Sequence, residues 1–339
     1  MDENSSRPIV SVLLPFHDAA LTLDAAVRSI VDQTMQDWEL LLIDNASQDG
    51  GHSRALEWVG SDPRIKLIEA HEIGIAHALN AGLAHAHGSY IARMDADDTA
   101  RPERLARQLS FLVAHPEIGV LGTRTRFRTT VERSIGMRSF VDRQNGILTP
   151  RDHYLKRFVD APLAHPTVMF RRELIAMYGG YDTGPLPEDH ELWLRWMHHG
   201  VRFAKLQEEL LTWNDHDLRL SRTHPNYGVD AFFRTKAYWI TLWYKRKFVD
   251  PRPIIIAGTS NLCRDRARML ESHGLRIEAY TDVRRREVPG HRFIPYDELP
   301  GPGEALLISF IGQRGTGDRI AGYLTSRGLS EGDDFILAA

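Results

Sequence analysis

The chain has 339 residues, 42% of them apolar and 26% charged, with 26 glycines and 17 prolines; this is the composition of a globular protein, about twice the length of a ~150-residue domain, and it excludes disordered, collagen-like and coiled-coil classes. Lys and Arg number 42 against 45 Asp and Glu, a formal net charge of −3, which lacks the basic excess of a nucleic-acid binder. The single cysteine, Cys263, cannot close an internal disulfide, as expected of a cytoplasmic chain.

Residues Met1 to Arg7 carry neither a basic n-region nor an apolar h-region, and no apolar run reaches the roughly eighteen residues of a membrane span, so neither a signal peptide nor a spanning helix is expected. The first apolar run, residues 9–14, closes at Pro15 and predicts a buried strand. Leu23, Ala26, Val27, Ile30 and Val31 recur at helical spacing before a break near Gln33 to Asp37. A strand follows at Leu40 to Ile43, ending at Asp44, then a helix at Ala55 to Val59, a strand at Ile65 to Ile68, a helix at Ile75 to Ala86 and a strand at Tyr90 to Met94. Alternating β and α elements predict a parallel sheet flanked by helices.

Pro102 suits the first turn of a helix that carries Leu105, Leu109, Leu112 and Val113, and Val120 with Leu121 predicts a strand. Residues Thr123 to Phe158, rich in Arg and without a clear period, read as loops facing a substrate. A strand at Val168 to Phe170, a Gly179-Gly180 turn and a helix around Leu192, Trp193 and Trp196 follow. Beyond Pro251 and Pro253, strands at Ile254 to Ala257, Arg276 to Tyr280 and Leu306 to Phe310 alternate with helices at Arg264 to Gly274 and Arg319 to Leu329. This tail reads as a small Rossmann-like unit. The expected division is 1–225, a helical aromatic and basic linker over 226–252, and 253–339.

The strand from Tyr90 delivers Asp95, Asp97 and Asp98 at its carboxyl end, where open α/β sheets bind ligands. Alternation along an extended segment lets Asp95 and Asp97 converge on a hard cation, Mg2+ or Mn2+, with Asp98 turned away; the bland reading is a solvated turn. Asp44 ends the neighbouring strand and suits either a nucleobase N–H or a loop cap. Glu188 and Asp189 open a helix, as caps or with one of them as a general base for an acceptor hydroxyl. Trp193 and Trp196 offer sugar-stacking faces or core.

Read together, Val10-Ser-Val-Leu-Leu-Pro15-Phe-His-Asp18, Leu41-Leu-Ile-Asp44, Gly74-Ile-Ala-His-Ala-Leu-Asn80, Arg93-Met-Asp95-Ala-Asp97-Asp98, His165-Pro-Thr and Glu188-Asp189-His-Glu-Leu-Trp193 resemble the family 2 glycosyltransferases of GT-A fold, over roughly residues 8–222. The resemblance implies an α/β GT-A domain of mixed, mainly parallel sheet, and a metal-dependent inverting transfer of sugar from a nucleotide-sugar, with UDP the expected nucleotide, to a glycan or lipid-linked acceptor in bacterial surface polysaccharide synthesis. Carried over by position, Asp44 recognises the base; Pro15, Asp18, Asn80, Arg93 and Asp95 face the donor; Asp95, Asp97 and His216 surround Mn2+ or Mg2+. Asp189 becomes the catalytic base, with Glu188, Trp193 and His165 on the acceptor side. Leu79 and Asn214 stand where arginines are common, Asp18 where asparagine is frequent, and Asn45 replaces the second acid of an Asp-Asp pair. A non-catalytic nucleotide-sugar scaffold and a nucleotidyltransferase are the alternative functions.

In the tail, Gly258-Thr-Ser260-Asn-Leu-Cys263 keeps only the first glycine of a dinucleotide fingerprint, with Asp282 where a ribose-binding acid would lie; packing or homo-oligomerisation is the stronger expectation there. Residues 227–248 set Tyr227, Phe232, Phe233, Tyr238, Trp239, Trp243, Tyr244 and Phe248 beside Arg234, Lys236, Lys245, Arg246 and Lys247. That mixture reads as a core helix, or as a peripheral contact at the inner face of the cell membrane.

Overall fold

The computed structural model describes residues 7–131, 134–217, 219–313 and 315–339. They form two compact units, Met1–His153 with Pro162–His224, and Tyr154–Ala161 with Pro225–Ala339.

The first unit begins β1 (Val10–Phe16), α1 (Leu23–Val31), β2 (Trp38–Asp44), α2 (Gly51–Ser61), β3 (Ile65–Glu69), α3 (Ile75–His85) and β4 (Tyr90–Arg93). It continues with β5 (Thr99–Ala100), α4 (Arg104–Ala114), β6 (Ile118–Thr129), α5 (Ile135–Asn145) and the start of α6 (Pro150–Lys156), whose residues from Tyr154 on are counted with the second unit. The last elements are β7 (Met169–Arg171), α7 (Glu173–Tyr178), α8 (Glu188–His198), β8 (Arg202–Asp215) and α9 (Leu220–Thr223). One eight-stranded sheet, ordered β3-β2-β1-β4-β7-β6-β8-β5, organises them. It is parallel from β3 to β4 and between β6 and β8, and antiparallel where β7 joins β4 and β6 and where β5 joins β8.

Every residue of β1 and β2 is buried, as expected of strands covered on both faces. Val10, Val12, Leu14 and Phe16 meet Leu23, Ala26, Val27 and Ile30 of α1 on one face, while Leu13, Leu41 and Ile43 meet Ala76, Ala78 and Leu79 of α3 on the other. The period of two in the strand and of 3.6 in the helices therefore builds two cores around one sheet. Gly88, just before β4, lies so close to β1 that a Cβ there would sit 2.5 Å from the Ser11 backbone nitrogen and 2.8 Å from the Val10 carbonyl carbon. Backbone cannot rotate away, so Gly88→Ala is expected to cost about 1–3 kcal/mol or more; urea denaturation of the two proteins checks it, and an unchanged midpoint would contradict the close approach.

The stretch 123–158 corrects the loop expectation: it holds the second half of β6, then α5 and α6. Along β6, Thr123 and Thr125 are buried while Arg126 and Arg128 are exposed. The period of two is present, but threonine rather than an aliphatic residue carries its inward face, so hydrophobicity alone hides it.

The second unit adds α10 (Val229–Lys247), β9 (Ile254–Ala257), α11 (Asn261–Ser272), β10 (Ile277–Thr281), β11 (Arg292–Phe293), β12 (Leu306–Ser309), α12 (Thr316–Ser326) and β13 (Phe335–Leu337). Its five strands run parallel in the order β11-β10-β9-β12-β13, a doubly wound arrangement. Gly258 has φ +112°, and a Cβ there would lie 2.6 Å from Cys263 Sγ. Asp282 accepts hydrogen bonds from Thr259 N (2.9 Å) and Thr259 Oγ1 (2.7 Å), so its carboxylate is engaged within the β9–α11 turn. The aromatics of α10 turn inward: Phe233, Trp239, Trp243 and Tyr244 are buried, as is Phe248. Lys245 and Lys247 donate to the carbonyls of His273 and Gly332. Of the aromatics an interfacial helix would present, Tyr238 is the large exposed one. Among the described residues, no helix is long and apolar enough to cross a membrane.

Candidate functional site

The acids gather where β4 ends. An extended run would turn Asp98 away from Asp95 and Asp97, but β4 stops at Arg93 and the Asp98 amide folds back to donate to Asp95 O at 3.3 Å. All three carboxylates thereby converge, each offering an oxygen within 4.8 Å of the others. The end of β8 and the turn beyond it supply the other wall. Asn214 N and Arg219 Nη1 donate to Asp98 Oδ1 at 2.9 and 3.0 Å, and Arg219 Nη2 reaches Asp95 Oδ2 at 2.8 Å. Arg219 Nη1 also lies 3.3 Å from Asp97 Oδ2, and His216 Nε2 is 2.9 Å from the same oxygen.

Burial and the adjacent Asp97 charge push the Asp98 carboxyl up to about 6, against the pull of the Arg219 guanidinium. Three hard oxygen donors in this spacing suit Mg2+ or Mn2+; the Arg219 guanidinium contacts all three but offsets only one of their charges. Sequence reasoning named His216 but not Arg219. No spacing rule points to it, because the chain must leave β8 and double back before Arg219 can donate to the carbonyl of Asn214 at 2.8 Å. Arg219 supplies a guanidinium five residues after the position where its resemblance placed one.

A second acidic group opens α8. Asp189 Oδ1 accepts from His190 N at 2.6 Å, and Glu188 Oε1 lies 3.6 Å from His165 Nδ1. Burial and the Glu188 charge push Asp189 up to about 6, against the pull of the His190 N–H and the Arg93 guanidinium. Arg93, buried at the end of β4, forms an ion pair with Asp95, so one guanidinium acts on both the acidic turn and the helix acid. His165 Nε2 pairs with the Tyr181 hydroxyl at 2.9 Å, and burial holds His165 well below its usual range, hence neutral. Tyr181 was not singled out from the sequence; it closes the wall beside His165.

Trp193 is corrected from an acceptor platform to core. It has no exposed surface, and its ring meets His165, Trp196 and Phe203 at centroid distances of 5.8, 5.7 and 5.6 Å. Asn80 grips the Tyr181 backbone at both ends of its amide, donating at 2.8 Å and accepting at 2.9 Å. It thereby positions the segment that holds Tyr181.

At the other side of β1 the strand-end loops are stitched together. Pro15 is buried in β1 opposite Ile43. Asp18, at φ 48° in the left-handed region, accepts from Gln48 N at 2.7 Å and donates its own N–H to Ser47 Oγ at 3.2 Å. Asp44 accepts from Ser47 N at 2.9 Å and pairs with His52 Nδ1 at 2.8 Å; His52 is a partner the sequence did not disclose. Each Asp44 oxygen keeps a further lone pair for a ligand N–H.

The first unit thus sets an acidic turn at its strand ends and a second carboxyl, Asp189, at a helix start in one mainly parallel α/β fold. The family model of Glycosyl transferase family 2 matches residues 11–179. EpsE of Bacillus subtilis is 33% identical over 236 residues, covering 67% of this chain and 80% of EpsE. The UDP-Glc:alpha-D-GlcNAc-diphosphoundecaprenol beta-1,3-glucosyltransferase WfgD of Escherichia coli is 37% identical over 106 residues, 31% of this chain and 41% of WfgD. Among solved structures, residues 1–349 of TarS from S. aureus, in complex with UDP-GlcNAc, share the fold with a TM-score of 0.52 at 13% identity, over 71% of this chain and 74% of that one. The chain belongs to glycosyl transferase family 2 and is a glycosyltransferase of GT-A fold.

Proposed function

We propose that the enzyme moves a sugar from a nucleotide-sugar, with UDP the first nucleotide to test, onto a hydroxyl of a glycan or lipid-linked acceptor, with inversion at the anomeric carbon, in the assembly of a bacterial surface polysaccharide. The observation that carries this reading is the convergence of Asp95, Asp97 and Asp98 into an oxygen cluster of cation spacing, in the same unit as Asp189, a carboxyl that burial and the Glu188 charge raise to about 6. Asp189 accepts the proton of the acceptor hydroxyl while that oxygen bonds to the anomeric carbon. The bond from that carbon to the nucleoside diphosphate breaks in the same step. No covalent enzyme intermediate is needed, so one base suffices.

Asp95, Asp97 and Asp98, with His216 beside them, are the groups that would hold Mn2+ or Mg2+, which when bound supplies positive charge for the departing diphosphate. Asp44 faces the base, and Pro15 and Asp18 shape the loop beside it. Asn80 acts through Tyr181. His165 and Glu188 line the acceptor side, with His165 neutral and so able to share a hydrogen bond without adding charge.

A base held near 6 fixes the sign of the pH dependence. Proton acceptance needs the carboxylate, so kcat/KM is expected to be level above about pH 7 and to fall as pH drops through about 6, approaching tenfold per unit below it. A profile flat down to pH 4.5 would remove Asp189 from that role. The function itself is tested by incubating the protein with UDP-, GDP- and TDP-sugars, Mn2+ and glycan or lipid-diphosphate acceptors. Release of nucleoside diphosphate with a β-linked or otherwise inverted product supports the reading; release of pyrophosphate makes the protein a nucleotidyltransferase instead.

A further inference from the structure

Beside the acidic turn lies a site of opposite charge. A cleft of ≈ 420 Å³ is lined by Thr99, Arg101, Arg126, Arg128 and Thr212, among others. Its chemistry follows from strand register. Arg126 and Arg128 are two residues apart on the exposed face of β6, hence about 6.8 Å apart along the strand, with Arg126 opposite Thr212 and Arg128 opposite Asn214 of β8. Thr212 in turn pairs with Thr99 of β5, and Arg101 follows β5, its N–H bonded to the Leu210 carbonyl at 2.9 Å. β6 and the end of β5 thus bring three guanidiniums around Thr99 and Thr212.

Among the described residues, none of the three arginines has an acidic partner, whereas Arg107 on the nearby α4 pairs with Glu208. Uncompensated like charges gathered in one cleft repel one another. Such a cluster suits a multiply charged anion, and planar guanidiniums match phosphate oxygens in pairs. The location gives the anion a role. Thr99 directly follows Asp98, and Asn214, opposite Arg128, donates its amide to Asp98. The acids need a cation to receive the donor diphosphate, so a second phosphate group arriving without one would settle on the arginines.

We infer that this cleft binds the diphosphate of a lipid-linked acceptor, clamped by Arg101, Arg126 and Arg128. This rests on the proposed transfer to such an acceptor and names the part of it that the enzyme recognises. The test titrates the full chain with farnesyl diphosphate, farnesol and inorganic pyrophosphate in EDTA, which keeps metal from the acidic turn. The same titrations are made on Arg126→Gln/Arg128→Gln and on Arg101→Gln, with UDP and Mn2+ binding measured on each protein as a control for fold and donor site.

The expected result is saturable binding of farnesyl diphosphate, none of farnesol, and affinity at least tenfold weaker in the double variant and several-fold weaker in Arg101→Gln, with UDP binding unchanged. Inorganic pyrophosphate binding as tightly as farnesyl diphosphate through the same arginines would identify a free anion as the occupant and overturn the lipid assignment. Equal binding of farnesyl diphosphate to wild type and double variant, or none to either, would overturn the cleft as a site. Sugar transfer to a glycan hydroxyl by the wild type in that last case leaves the transferase reading standing, whereas absence of nucleoside diphosphate release from every donor removes that reading whatever the arginines bind.

Discussion

Asp189→Asn is expected to lower turnover by on the order of 10²-fold or more, with donor affinity nearly unchanged. Asparagine keeps the shape and the Oδ1 that accepts from His190 N, but it cannot take a proton. Glu188 is no substitute, because its carboxylate is buried against His165. The loss is not an effect of unfolding. Asp189 has a folded value of about 6 against about 3.9 in an unfolded chain, so the folded state holds the extra proton between those values and stability declines as pH rises through that window. Above it the wild type carries a charge that the folded site disfavours and that the asparagine lacks. The variant should therefore melt at or above the wild-type temperature at pH 7.5 while its rate of nucleoside diphosphate release collapses. Near-normal turnover would exclude Asp189 as the base.

Arg219→Met is expected to be the most damaging change to the fold of the site. The guanidinium is buried, reaches Asp95, Asp97 and Asp98, and lies 4.7 Å from the centre of the Trp213 ring. Methionine keeps the contact with Trp213 but leaves three acids facing one another, with the Asp98 side chain wholly buried. Removing one partner of such a set costs about 3–5 kcal/mol. The acids that lose Arg219 are those suited to a divalent cation, so Mn2+ should recover part of the loss and raise the melting temperature more in the variant than in the wild type. Equal melting temperatures of the two proteins without metal would show that Arg219 does not offset the cluster's charge.

The parts of the fold legible in the sequence were those written in aliphatic residues. The runs at 9–14 and 40–43 and the stripe from Leu23 to Val31 became β1, β2 and α1 because each buries a continuous apolar surface. The second half of β6 was hidden because Thr123 and Thr125 line its buried face; α5 and α6, polar and short, carry little periodic signal. For the site, local order revealed the acids, since Asp95, Asp97 and Asp98 lie at one strand end and Asp189 at one helix start. It could not reveal Arg219, brought 121 residues along the chain to Asp98, or His52 and Tyr181, whose partners lie across loops. Trp193 misled for a related reason: a helical stripe looks the same whether it faces a ligand or Phe203, and packing decides.

The most direct measurement of the central claim is calorimetric titration of UDP, GDP and TDP into the purified protein, with and without Mn2+, beside an Asp97→Ala variant. A donor-binding transferase predicts that one of the three binds the wild type only with Mn2+, and that Asp97→Ala loses this binding. The account is contradicted if none of them binds with Mn2+, or if the one that does binds equally well without metal and in the variant.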